Sequence, residues 1–123
     1  MSNLSVGTDL VSVDRIRKIL HSAHSRQFKT RVFSAAEQEY CESKAVPSIH
    51  YAGRFAGKEA VRKAWMSRNN TPPVPAFHRI EILADEGGAP RVSPLPGQPE
   101  SGMTVISIAH TEEYAIATAI IYT

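Results

Sequence analysis

The stretch from Tyr51 to Trp65 constrains the fold more than any other part of this 123-residue chain. Tyr51, Phe55, Val61 and Trp65 supply bulk at near-helical spacing, while Gly53, Gly57, Ala60 and Ala64 form a stripe with almost no side chain. A glycine inside a helix costs about 1 kcal/mol relative to alanine, and this helix accepts both Gly53 and Gly57. Close approach of another backbone to the small stripe compensates, and it would fix where Lys58, Glu59, Arg62 and Lys63 point. Glu59 and Lys63 stand four residues apart, so both project from one side of the helix. At that spacing a Glu and a Lys commonly make a surface ion pair contributing about 0.2–0.5 kcal/mol. A functional pairing needs support from elsewhere in the chain.

The length suits one domain, residues 1–123, with enough chain for a core and little to spare. No apolar run approaches the ~20 residues that span a bilayer, so no membrane association is expected, and the N-terminus lacks the pattern of a signal peptide. Cys41 is the single cysteine and cannot close an internal disulfide, which fits a reducing, cytoplasmic setting. It reads as a helix packing residue. The net charge of +2 is unevenly spread: Arg15, Arg17, Lys18, Arg26, Lys29 and Arg31 follow one another with no acidic residue between them. Such a concentration implies an acidic partner. Nucleic acid is disfavoured, because Phe28 is the only aromatic in the stretch and no nucleic-acid motif accompanies it.

Taken in order, Leu4 to Thr8 reads as a short strand ending at Gly7-Thr8-Asp9. Asp9, just past a strand end, is placed either for a ligand or as a turn residue. Ser12 to about His24 follows as a helix with Val13, Ile16, Ile19 and Leu20 on its apolar face and Arg15 and Lys18 opposite. Ser34-Ala-Ala-Glu37 is a capping box opening a helix to about Ser43. Pro47 suits the first turn of the long helix, which fades near Arg68 into the Asn69–Pro75 loop. Arg79 to Leu83 alternates as a strand, Asp85 to Pro90 turns, and Arg91 to Ser93 returns. After a Pro94–Gly102 loop, Thr104–Ala109 and Tyr114–Tyr122 form a hairpin around His110-Thr111. The order predicts an α+β fold, with helices packed on one side of an antiparallel sheet. His110, at a strand tip, is either an inert loop histidine or a site residue.

Together, Asp9, Glu59, Lys63 and His110 make a specific set. Two carboxylates and a few waters suffice for Mg²⁺, which usually keeps water and a substrate phosphate as further ligands. Val6-Gly-Thr-Asp-Leu-Val-Ser-Val-Asp-Arg-Ile16, Arg54-Phe-Ala-Gly-Lys-Glu-Ala-Val-Arg-Lys-Ala64 and Ile106-Ser-Ile-Ala-His-Thr-Glu-Glu-Tyr-Ala115 together resemble the holo-acyl-carrier-protein synthases, the short class of 4′-phosphopantetheinyl transferases. Arg31-Val-Phe-Ser, Glu37, Tyr40 and Gly88-Ala-Pro90 add minor matches, in order along nearly the whole chain.

The resemblance implies Mg²⁺-dependent transfer of the phosphopantetheine arm of coenzyme A to a serine of an acidic acyl carrier protein, releasing adenosine 3′,5′-bisphosphate. It implies Asp9 and Glu59 as metal ligands, and Glu59, Lys63 and His110 as catalytic residues. Lys63, Gly88, Pro90, His110 and Thr111 would contact coenzyme A, and Arg15 and Arg26 the carrier protein. It further implies a homotrimer with active sites between subunits, in which His110 serves a neighbour's Asp9 and Glu59. Three features depart from the family pattern: Ala89 stands where a lysine is common, Ala109 where a small hydroxyl residue is common, and Met66 onward replaces a glycine-rich loop. A non-catalytic module binding coenzyme A or a carrier protein is the alternative.

Overall fold

Antiparallel pairing with a long partner makes the first strand longer than its sequence suggests. The structure, a computed structural model, describes residues 4–68, 73–98 and 102–122. Strand β1 runs Leu4–Ser12, because β5 (Tyr114–Tyr122) pairs with it from Leu4↔Tyr122 to Ser12↔Tyr114. Asp9 therefore lies within the strand, opposite Ala117, and not past its end. Strand β4 (Met103–His110) pairs with the other edge of β5, giving the order β1-β5-β4. A second, two-stranded sheet joins β2 (Ile82–Ala84) to β3 (Pro90–Val92).

Among the described residues four α-helices lie between β1 and β2: α1 (Val13–Leu20), α2 (Ser25–Val32), α3 (Ala35–Glu42) and α4 (Pro47–Met66). The helix expected from Ser12 to His24 stops at Leu20, where the Ser22 hydroxyl donates to the Ile19 carbonyl and gives the backbone an alternative to helix. The chain then turns back into α2, which packs on α1. The capping box at Ser34 and Glu37 forms as expected, and Pro47 takes the first turn of α4. The strand expected at Arg79–Leu83 begins only at Ile82, and Phe77–Arg79 is a 3₁₀ turn. The cause is Lys58, whose ammonium takes the Phe77 and Ile80 carbonyls (2.9 and 2.6 Å). Parts of the two expected proline-rich loops, 69–72 and 99–101, lie outside the described residues.

Helix α4 packs across all three strands of the larger sheet, and its small stripe explains how. A Cβ on Gly7 of β1 would collide with the Ala60 carbonyl oxygen and the Ala64 amide nitrogen. A Cβ on Gly57 would come 2.7 Å from the Ile82 Cδ1 and 2.8 Å from the Ile106 Cδ1. The central strand contributes only Ala115, Ala117, Ala119 and Ile121 to this face, all buried. Small residues on both surfaces let helix and sheet approach closely, but the backbone of β1 meets the stripe at Ala60 and Ala64, while Gly53 and Gly57 make room for the Ile82, Ile106 and Ile108 side chains and not for the expected backbone. Tyr51, Val61, Trp65 and Phe33 fill the core beyond α4, and Cys41 is fully buried there, its thiol pushed up to about 12 by burial. The other face of the sheet carries no helix among the described residues and exposes Leu4, Val6, Leu10, Val105, Tyr114 and Ile116. No helix among the described residues is long and apolar enough to cross a membrane.

Candidate active site

The close crossing at Gly7 brings Asp9 and Lys63 together. Lys63 Nζ donates to Asp9 Oδ1 at 3.0 Å and to the Thr8 carbonyl at 3.1 Å. Glu59 lies one turn earlier on α4. The surface pair of Glu59 with Lys63 does not form, because the lysine turns to β1 instead; among the described residues Glu59 makes no ion pair. The Lys63 side chain is 48% exposed and that of Asp9 17%. An ammonium has three donors and a carboxylate about four acceptor sites, so both groups keep unused capacity facing solvent. No three His, Cys, Asp or Glu side chains gather at one point among the described residues. Asp9 on β1 and Glu59 on α4 are the carboxylates that the two crossing elements carry, and one or two carboxylates plus waters and substrate phosphate is the kind of donor set Mg²⁺ takes. Asp9 already receives a cation, the Lys63 ammonium, on one oxygen.

Next to this open pair, Lys58 is closed. Its Nζ donates to Glu37 Oε1 (2.6 Å) and to the two carbonyls named above, and both side chains are fully buried. Glu37 also accepts from the Ser34 and Ile82 amides (2.8 and 2.9 Å). Burial pulls the Lys58 ammonium below the usual lysine range, and the Glu37 carboxylate opposes that pull. This network ties α3, α4 and β2 together and sets the rotation of α4, hence the direction of Glu59. The sequence pattern puts Lys58 in one set of charges with Glu59, Arg62 and Lys63 and does not single it out. The available signal was Glu37, whose capping role places a carboxylate at the start of α3 with one face turned inward.

His110 ends β4 on the helix-covered side of the sheet. Its ring lies 6.1 Å from that of His50, which lies 5.9 Å from Tyr40. Arg54 stacks its guanidinium 4.2 Å over the Tyr40 ring and Lys44 stands 4.6 Å from it. Arg54 is buried, and its Nε has no acceptor. Burial, then the charges of Arg54, His110 and Lys44, hold His50 below its ordinary value. The cluster has the composition of an anion site, and sequence reasoning found only His110 and Thr111 of it. His50 and Arg54, four apart on α4, were the missed signal. The Thr111 hydroxyl accepts from the Glu113 and Tyr114 amides (3.1 and 3.0 Å), leaving its own proton to donate.

Within one chain His110 does not join Asp9 and Lys63. Strand β5 separates β4 from β1, placing their backbones about 10 Å apart. His110 also meets the first turn of α4, whereas Lys63 lies in the last. Gly88, at φ 87°, and Pro90 lie at the β2–β3 turn, away from both groups in sequence and sheet. Asp85 organises that turn by accepting from the Gly87 and Ala89 amides and from Arg91 Nε, each at 2.9 Å; the Ala89 amide, then Arg91, keeps its carboxyl below the ordinary range. On the basic stretch, Asp14 pairs with Arg17 and Lys18, and Glu42 with Lys29. Arg15 and Arg26 are exposed and make no ion pair among the described residues.

Residues 5–119 match the profile of the 4′-phosphopantetheinyl transferase superfamily. The chain is 38% identical over 122 residues to the holo-[acyl-carrier-protein] synthase of Chlamydia pneumoniae, with 98% of each covered. It is 41% identical over 128 residues to that of Ruminiclostridium cellulolyticum, covering 94% of this chain and 90% of the relative. Among solved structures, apo-ACPS from Chronobacterium ammoniagenes superposes with a TM-score of 0.82 at 28% identity, covering 99% of this chain and 98% of that one. The Helicobacter pylori holo-[acyl-carrier-protein] synthase in complex with coenzyme A gives 0.76 at 29% identity, covering 94% and 98%.

Proposed function

The chain belongs to the 4′-phosphopantetheinyl transferase superfamily, and on that premise we propose how its residues carry the reaction. The protein is a holo-[acyl-carrier-protein] synthase: it moves the 4′-phosphopantetheine arm of coenzyme A onto a serine of an apo acyl carrier protein. Phosphoryl-type transfer is largely positioning and charge neutralisation. Asp9 and Glu59 are the residues that would hold Mg²⁺, which when bound supplies Lewis-acid neutralisation of the diphosphate. Lys63 spends two of its three donors on Asp9 and Thr8, and the third is free for an oxygen of the leaving bisphosphate. Glu59, unpaired and one turn away, accepts the proton of the attacking serine hydroxyl. The observation that carries this reading is the open Asp9–Lys63 pair beside an unpartnered Glu59.

His110, Thr111 and Arg54 hold a further phosphate of coenzyme A, with Gly88 and Pro90 shaping a wall for the nucleotide. Since His110 does not reach Asp9 within the chain, two copies supply one site. The bare apolar sheet face supports this, because exposed patches of that kind mark association surfaces; the assembly proposed is a homotrimer. Arg15 and Arg26 face the acidic carrier protein, which the reading places in the cytoplasm with the enzyme.

The test is the intact mass of an apo acyl carrier protein after incubation with this protein, coenzyme A and Mg²⁺. The expected result is the gain of one phosphopantetheine arm, abolished by chelator. Coenzyme A bound with no gain on any carrier protein would make this a binding module instead. Mixing Asp9→Ala with His110→Ala, each inactive alone, should restore part of the transfer. A mixture as dead as its components would place the whole site within one chain.

A further inference from the structure

Arg62 is the one cation of α4 beside the proposed centre that no role above absorbs. Its guanidinium lies 4.2 Å over the face of Phe77, and Phe77 is itself stacked on Phe55 with ring centroids 5.7 Å apart. The Arg62 Nε is buried and has no acceptor, and the residue makes no ion pair among the described residues. Glu59 stands three residues earlier, close enough along a helix for an ion pair, yet none forms because the aromatic face holds the guanidinium elsewhere. Arg62 and Lys63 follow Glu59 by three and four residues, so on the helix surface they flank it on two sides. A guanidinium stacked on an aromatic ring keeps its edge free to donate in the ring-parallel plane. Held in that way, Arg62 is a preorganised donor fork with no acceptor among the described residues.

The geometry points to Arg62 as a phosphate-binding residue for coenzyme A, its fork presented by Phe77 on the side of Glu59 opposite Lys63. The inference rests on the transferase reading. Coenzyme A carries a diphosphate and a ribose phosphate, and a planar fork suits two oxygens of one phosphate. Phe77 comes from the turn that Lys58 anchors, so the buried network also positions this cation.

Steady-state kinetics on Arg62→Met, Arg62→Lys and Phe77→Leu, with the wild type alongside, tests it. Arg62→Met keeps an apolar stem against Phe77 and should raise the KM for coenzyme A roughly tenfold, the loss of about one charge-assisted contact. The KM for the carrier protein and kcat should move by less than about twofold. Arg62→Lys should recover part of the loss, since it restores charge without the fork, and Phe77→Leu should show a smaller rise with the charge intact. With dephospho-coenzyme A in place of coenzyme A, a tenfold effect that persists assigns the contact to the diphosphate, and one that vanishes assigns it to the ribose phosphate. An unchanged KM for coenzyme A in folded Arg62→Met, or a rise confined to the carrier protein, overturns the inference while the transferase reading stands. Wild-type protein that transfers nothing overturns both.

Discussion

Lys58 and Lys63 stand five residues apart on one helix, each against a carboxylate, and they differ in everything else. Lys58 has all three donors taken, by Glu37 and two carbonyls, with no water access. Lys63, half exposed, has two donors taken and a third without a partner among the described residues, and Glu59, one turn away, makes no ion pair among them. A saturated buried pair can only hold structure, since any new ligand must break an existing bond in a dry environment. An open pair at the surface contributes little to stability but can take a ligand at little cost. The lesson is that spare valence, not charge as such, separates the functional lysine from the structural one.

The hardest way to break that contrast is to remove the buried cation. Lys58→Met leaves Glu37 charged and buried, and should destabilise the fold by about 3–5 kcal/mol, read from urea unfolding. Adding Glu37→Gln to it should recover part of the loss, because a neutral amide still accepts from the Ser34 or Ile82 amide without an unpaired charge. A single-variant loss below about 1 kcal/mol would mean the pair is not dry, and the distinction from Lys63 would collapse.

The opposite pattern is expected at the open centre. Glu59→Gln should lower transfer by at least about 100-fold while unfolding stays within about 0.5 kcal/mol of wild type. Equal activity with a large drop in stability would make Glu59 a structural residue like Glu37.

Much of this was legible in the chain. The small stripe Gly53, Gly57, Ala60, Ala64 demanded a close backbone; the backbone of β1 at Gly7 meets it at Ala60 and Ala64, whereas Gly53 and Gly57 face isoleucine side chains. The capping box, Pro47 and the terminal hairpin are local patterns, and they formed where spacing put them. What stayed hidden depends on partners far along the chain. Nothing adjacent to Lys58 announces Glu37, 21 residues away, or the carbonyls at Phe77 and Ile80. The Asp9–Lys63 bond spans 54 residues, and the sequence placed the two in one set of four polar residues without pairing them. Arg54 and His50 looked like ordinary helix residues because the groups that give them meaning, Tyr40 and His110, come from α3 and β4.

The same test of saturation sorts the basic surface. Arg17 and Lys18 share the Asp14 carboxylate, while Arg15 makes no ion pair among the described residues. Arg15→Gln should raise the KM for the carrier protein several-fold, with a shallower salt dependence and an unaltered KM for coenzyme A. Arg17→Gln should do less. Equal effects of the two would show that total charge, not spare valence, selects the docking residue.

The smallest effect sits at His50, and its sign follows from linkage. Burial and the neighbouring cations hold its imidazole below the ordinary value of 6.5. As pH falls through 6.5 the unfolded chain takes up a proton that the folded chain refuses, so stability is complete above that point and declines toward the lower folded value. Asp14, Glu42 and Asp85 are also held low, but they act only below about pH 4.5 and leave this window clear. His50→Gln should flatten the decline between about pH 6.5 and 5 in thermal unfolding. If the cations around His50 form an open anion site, adenosine 3′,5′-bisphosphate should also suppress the decline in the wild type, because a bound phosphate lets His50 protonate within the fold. A decline that ignores the bisphosphate would class His50, Arg54 and His110 with Lys58, as charges the fold has closed.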